Sequence, residues 1–167
     1  MLVKYINYKQ AYKKIIGNSF HNKPIIWEKL MYAIDLYNRN LFEKAFKKFD
    51  KLLKKCSTNE EYGVVYFFMA LNLEHGGYLD SARYYYEKAI EHDSTKASYY
   101  NNLGLNYLKD RIYYAAIQEF KIAISLSPST QASSIFYDNL GKTYNFIGYP
   151  EQALPCFEDA LKFYGLN

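Results

Sequence analysis

Little in this sequence interrupts the chain or bridges it covalently. Four prolines and eight glycines in 167 residues leave little room for linkers, and no low-complexity tract is present. Two cysteines, Cys56 and Cys156, cannot make a disulfide framework. Three isolated histidines, His21, His75 and His92, join no cluster with metal-ligand spacing. No glycine-rich loop fits a phosphate, because Gly76-Gly77 reads as a turn. The sequence therefore predicts no catalytic residue, no metal ligand and no cofactor. No apolar run is long enough to span a bilayer. The start, Met1 to Lys14, is broken by lysines at 4, 9, 13 and 14 and has no signal-peptide core.

Apolar and aromatic side chains are plentiful instead. Half of the residues are hydrophobic and 23% are charged, the profile of a folded chain. Twenty tyrosines and eleven phenylalanines suit half-buried seams between packed helices, or an aromatic ligand site. Charge is unevenly placed. Residues 1–56 carry thirteen Lys/Arg against four Asp/Glu, a net of +9, whereas residues 57–167 carry eight against thirteen, a net of −5. The densest run is Lys44, Lys47, Lys48, Lys51, Lys54 and Lys55, on a helix whose other face carries Phe42, Phe46, Phe49 and Leu53. Three readings stand: a solvated amphipathic face, a seat for an anionic partner, or head-to-tail self-association.

A repeat organises the second half of the chain. Tyr100, Leu103-Gly104, Tyr107, Ala116, Phe120 and Ala123 recur 37 residues later as Tyr137, Leu140-Gly141, Tyr144, Ala153, Phe157 and Ala160. Pro128 closes the first of these copies, and Gly165 stands in its place in the second. A weaker copy runs Tyr66, Met69-Ala70, Leu73, Ala82, Tyr86, Ala89. A weaker one still runs Tyr32-Ala33, Leu36, Ala45, Phe49, Leu52, with Lys29 in place of the leading aromatic. In all four a small residue is followed twelve later by alanine and four more by an aromatic. Two antiparallel helices approach closely only where neither is bulky, and a residue at i+4 stays on the same helix face. The small markers are 37, 34 and 37 apart, so the first and third junctions are about three residues long.

Turn formers lie where this pattern needs them: Asn38-Arg39-Asn40, Gly76-Gly77, Lys109-Asp110-Arg111 and Gly148-Tyr149-Pro150. Thr58 with Glu61 predicts a capping box, and Ser94 or Thr95 and Ser127-Pro128-Ser129 cap or break in the same way. His92-Asp93 reads as a helix C-terminus. Pro155 falls inside the last helix, where it removes a backbone hydrogen bond.

The pattern of an aromatic, Leu-Gly, an aromatic, then Ala, Phe, Ala and Pro resembles the tetratricopeptide repeat. The resemblance covers residues 26–167 and implies an all-α fold, a right-handed α-solenoid of antiparallel helix pairs. Its approximate repeats are 26–59, 63–96, 97–130 and 134–167. Residues 1–25 hold a candidate N-terminal capping helix (1–17) and a connector. Stacked repeats touch only their neighbours, so Cys56 and Cys156, in the first and last repeats, should not pair. Free thiols point to a reducing compartment and hence a cytoplasmic location.

The resemblance also implies a concave groove lined by the first helix of each repeat, where protein or peptide partners bind. By spacing, its residues are Leu30, Ile34 and Tyr37; Val64, Phe67, Leu71 and Glu74; Ser98, Asn101, Asn102, Leu105 and Leu108; and Ile135, Asp138, Asn139, Lys142 and Asn145. The first half is apolar and the second polar. The N-terminal helix either caps the array or folds over Leu30, Ile34 and Phe67. Family members that bind chaperone tails clamp a terminal carboxylate with basic and amide side chains from three repeats. The matching positions here are mostly apolar or neutral, which argues against that ligand.

Leu154, Leu161 and Tyr164 would face a further repeat, so they are a candidate homodimer surface, or the chain is a piece of something longer. The leading expectation is a non-enzymatic adaptor that binds a peptide or helix. Its alternatives are a self-assembling module and a peptide-sensing regulatory domain. No helix-turn-helix is recognisable, which argues against nucleic acid as the partner.

Overall fold

The computed structural model describes Ile16, Asn18, Phe20 and residues 22–164. The expected capping helix at 1–17, apart from Ile16, and the Gly165 stop lie outside the described residues. Eight helices run through the rest, with no strand among the described residues: α1 (Pro24–Asn38), α2 (Phe42–Leu53), α3 (Asn59–His75), α4 (Leu79–His92), α5 (Ala97–Lys109), α6 (Tyr113–Leu126), α7 (Gln131–Phe146) and α8 (Pro150–Phe163). The fold is an all-α helical repeat of the solenoid class. The chain divides into two compact units, residues 1–94 with α1–α4 and residues 95–167 with α5–α8.

The four turns within helix pairs are built alike, each around one left-handed residue: Asn40 (φ 59°), Gly77 (φ 87°), Arg111 (φ 60°) and Gly148 (φ 79°). That residue's N–H donates three residues back, to the carbonyls of Tyr37, Glu74, Leu108 and Asn145. The next N–H donates five back, to Leu36, Leu73, Tyr107 and Tyr144. This is the Schellman closure, which satisfies carbonyls that the helix end leaves open. The residue that completes it (Leu41, Tyr78, Ile112 or Tyr149) is already the N-cap of the next helix.

Left-handed backbone costs an L-residue about 1–2 kcal/mol. Arg111→Gly should therefore stabilise the protein by about 1 kcal/mol, after the greater freedom of unfolded glycine is subtracted. Gly148→Ala should cost a similar amount through backbone alone, since an added Cβ there meets nothing within 4 Å. Urea midpoints at unchanged slope read both effects.

The long first and third junctions are absorbed into helix. α3 begins at Asn59 and α7 at Gln131, ahead of the expected 63 and 134. Thr58 caps α3, its side chain accepting from Glu61 N at 3.3 Å. The Glu61 carboxylate reaches back to the N–H groups ahead of the helix, those of Thr58 and Ser57. It accepts from Ser57 N at 2.8 Å and pairs with Lys23 at 2.5 Å, which ties the start of α1 to the start of α3. For α7 the cap is Thr130 rather than the Ser127–Ser129 segment, in a reciprocal box with Ser133. The N-cap position of α5 is held by Lys96, one residue beyond the expected Ser94 or Thr95, and its side chain makes no cap bond.

Both units pack on the small-residue marker. Ala33, Ala45, Ala70 and Ala82 are fully buried in the first, as is Ala116 in the second. A Cβ on Gly104 would lie 2.7 Å from Phe120 Cε1, and one on Gly141 2.8 Å from Phe157 Cε1. The aromatic ring thus lies directly over the glycine and does not merely fill the gap beyond it. Phe120 joins Ala116, Ile117, Leu140 and Cys156 in the core of the second unit. In the first, Phe49 stacks on Phe68 with centroids 6.0 Å apart. Pro155 sits within α8 on its exposed side, as does Glu151, whose carbonyl has no proline N–H to accept from there.

Candidate binding surface

In the first unit, the first-helix positions are mostly core. Leu30, Ile34, Val64 and Phe67 are buried completely or nearly so, and Tyr37 almost so. Phe67 packs on Tyr86 at 5.8 Å, and Tyr37 meets the His75 edge at 5.2 Å. Glu74 turns inward, where its Oε2 accepts from the Tyr86 hydroxyl at 2.6 Å. Burial, and then that carboxylate, push the Tyr86 phenol well above its ordinary value. Leu71 is the half-buried member of the set.

The second unit keeps its first-helix face more open. Ser98, Asn102, Leu105 and Leu108 on α5 are half-buried, as are Asp138 and Asn139 on α7, while Ile135, Lys142 and Asn145 are exposed. The two helices are tied by an amide bridge: Asn139 Nδ2 donates to Asn101 Oδ1 at 2.9 Å. Asn101 is itself buried, so its role is to hold the face rather than to present a free amide. Asn102 Nδ2 donates to Ser98 O at 2.8 Å, which orients its side chain along α5. Lys142 pairs with Asp138 one turn back at 2.5 Å. Leu105 and Leu108 rest on the core cluster and offer apolar seats beside these amides. The arrangement suits a segment that needs backbone hydrogen bonds and one or two apolar contacts.

The last helix pair carries an open apolar face. Leu154, Leu161, Tyr164 and Ile135 are 61%, 74%, 78% and 57% exposed. Ile135, Phe157, Leu161 and Tyr164 line a groove of about 460 Å³ there.

The lysines of α2 are all exposed, opposite buried Phe49 and half-buried Phe42, Phe46 and Leu53.

Nucleophile chemistry finds little support. Both cysteines are free. Burial pushes the Cys56 thiol up to about 12 and raises that of Cys156, so each stays protonated, donating to the carbonyl one turn back. His75 and His92 end α3 and α4, and His92 stacks on Tyr62 and Tyr66 at 5.0 and 5.4 Å. Among the described residues no group of His, Cys, Asp or Glu could hold a metal ion. No helix among them is long and apolar enough to cross a membrane.

Sequence spacing missed two interactions within the first unit. One is the Lys23–Glu61 pair. The other is Asn72, whose buried amide donates to Phe42 O at 3.0 Å and so ties α3 to the first turn of α2. A polar residue two places after the small marker was the only available signal: Asn72 after Ala70, as Asn106 follows Gly104 and Thr143 follows Gly141.

A tetratricopeptide-repeat profile matches residues 135–164. No curated protein matches the chain. Solved structures do. MamA superposes with a TM-score of 0.72 at 20% identity, over 88% of this chain and 83% of its own. PilF of Pseudomonas aeruginosa gives 0.71 at 23%, over 81% of this chain and 60% of its own. The second tetratricopeptide domain of Spaghetti (RPAP3), bound to the HSP90 peptide SRMEEVD, gives 0.57 at 24%, over 61% and 92%. The profile match at residues 135–164, the eight paired helices and these superpositions agree with the repeat spacing: residues 135–164 match a tetratricopeptide repeat, and the chain has an all-α helical-repeat fold.

Proposed function

We propose that this chain is a non-enzymatic, cytoplasmic scaffold that binds a peptide or helical segment of a partner protein on the first-helix face of its second unit. The carrying observation is the Asn101–Asn139 bridge, which fixes α5 against α7 while Asn102, Leu105, Lys142 and Asn145 remain at least partly accessible. Amide and lysine side chains held on two rigid helices give a segment's backbone donors and acceptors without paying to order a loop. The general use of this fold as a protein-binding scaffold supports the reading, and so does the RPAP3 neighbour, which carries a peptide.

The burial of Leu30, Ile34, Val64 and Phe67 directs the ligand away from the first unit. A second reading, self-assembly, rests on the exposure of Leu154, Leu161 and Tyr164. The test is a titration of a captured partner segment against Asn102→Ala/Lys142→Ala and against Leu161→Glu/Tyr164→Glu. Scaffold binding predicts about tenfold weaker affinity in the first variant, the loss of roughly 1.4 kcal/mol, and none in the second. An unchanged affinity in the first variant defeats the assignment.

A further inference from the structure

Away from the first-helix faces, α1 and α2 enclose a concavity of about 190 Å³ lined by Lys29, Tyr32, Lys48, Lys51, Leu52 and Lys55. Four of its six walls are ammonium-bearing side chains, and no Asp or Glu is among the described residues that line it. Lys48 Nζ lies 5.3 Å from the centre of the Tyr32 ring, which places that charge over the concavity's apolar wall. Lys29 and Lys55 both line this concavity, and the nearby Lys55 ammonium holds the Lys29 ammonium below its ordinary value. Like charges on exposed helix surfaces ordinarily spread apart, because lysine side chains are long and flexible. Convergence on one concave point is the arrangement that a bound anion would stabilise.

We propose that this concavity is a binding site for a phosphoryl group. Such a group carries between one and two negative charges near pH 7 and three acceptor oxygens. That matches several ammonium donors better than a carboxylate's single charge does, and lysine binds phosphate as a point charge with freely rotating donors. The volume holds the equivalent of about six water molecules at ~30 Å³ each, enough for one or two phosphoryl groups. Tyr32 and Leu52 close one side with apolar surface and so strengthen the attraction. The same chemistry is offered by a soluble phosphorylated compound and by a phosphomonoester lipid headgroup.

Calorimetric titration of the full chain with inorganic pyrophosphate, at fixed ionic strength, tests this. Binding tighter than about 1 mM is expected, with Lys29→Gln/Lys55→Gln at least tenfold weaker and Lys44→Gln/Lys47→Gln, the same charge removed outside the cavity, within about twofold. All four lysines are exposed, so each variant should fold, which circular dichroism checks. Co-sedimentation with phosphatidic acid vesicles separates the sources. Sedimentation that depends on Lys29 and Lys55 identifies a headgroup, and pyrophosphate binding without sedimentation identifies a soluble phosphate. Equal weakening in the two variants, or neither pyrophosphate nor vesicle binding, overturns the proposal.

Discussion

Phe120→Ala should destabilise residues 95–167 by about 4 kcal/mol, the usual cost of emptying a fully buried phenylalanine site. The more telling result concerns its partner. Gly104→Ala alone places a Cβ 2.7 Å from the Phe120 ring, closer than real contacts allow. Overpacking of this kind costs about 1–3 kcal/mol, against which a helix-interior alanine regains about 1 over glycine. A net loss of about 1 kcal/mol is expected. In the Phe120→Ala background the clash is gone, the new methyl occupies part of the cavity, and only the helix propensity remains. Gly104→Ala should then stabilise by about 1 kcal/mol. A double-mutant cycle by urea denaturation reads this reversal of sign. Equal costs in both backgrounds would mean that the glycine and the ring are not in the tight contact described, and the physical reason for the repeat spacing would fail with it.

Lys23→Met should cost about 2 kcal/mol at pH 7 by leaving the Glu61 carboxylate buried without its cation. That figure lies below the full range for breaking buried pairs because Lys23 itself remains 30% exposed and partly screened. Burial pushes the Glu61 carboxyl up, but Lys23 and the N–H groups of Ser57 and Thr58 more than offset this and hold it below its ordinary value. A carboxyl lowered in the folded state adds stability above the unfolded pKa of about 4.3 and loses it as pH falls through the folded value. The difference between wild type and Lys23→Met should therefore be full at neutral pH and shrink below about pH 4. Adding Glu61→Gln should recover much of the loss at pH 7, since a neutral amide oxygen can still accept from Ser57 N. A difference that persists undiminished at pH 3 would assign the effect to lost packing of the lysine stem instead.

These two sites also mark how far the sequence could be read. Gly104, Ala116 and Phe120 recur with Gly141, Ala153 and Phe157 because each local contact demands a small residue at a set distance from a ring. Spacing therefore revealed the helix pairs, and the turn segments revealed where each chain reversal falls. Arg111 shows the limit: its neighbourhood reads as a turn, but that it adopts the left-handed position of Gly77 and Gly148 is visible only in the backbone. Lys23 and Glu61 are 38 residues apart, and no local period relates them. The candidate groove was ambiguous for a different reason. Leu30, Ile34, Val64 and Phe67 are apolar, and apolar side chains suit a ligand seat and a core equally well; their burial favours the core. Asn101 looked like a free amide, whereas its oxygen serves Asn139.

Site-specific photo-crosslinking in the source cells tests the scaffold reading most directly. A photoreactive side chain would be placed at Asn145, exposed on the first-helix face of the second unit, or at Leu161, exposed on the last helix. Binding on the first-helix face predicts that the Asn145 position captures a different protein, and that this adduct disappears in the Asn102→Ala/Lys142→Ala variant. Adducts formed only from Leu161, and only with a second copy of this chain, would contradict it and make self-assembly the function.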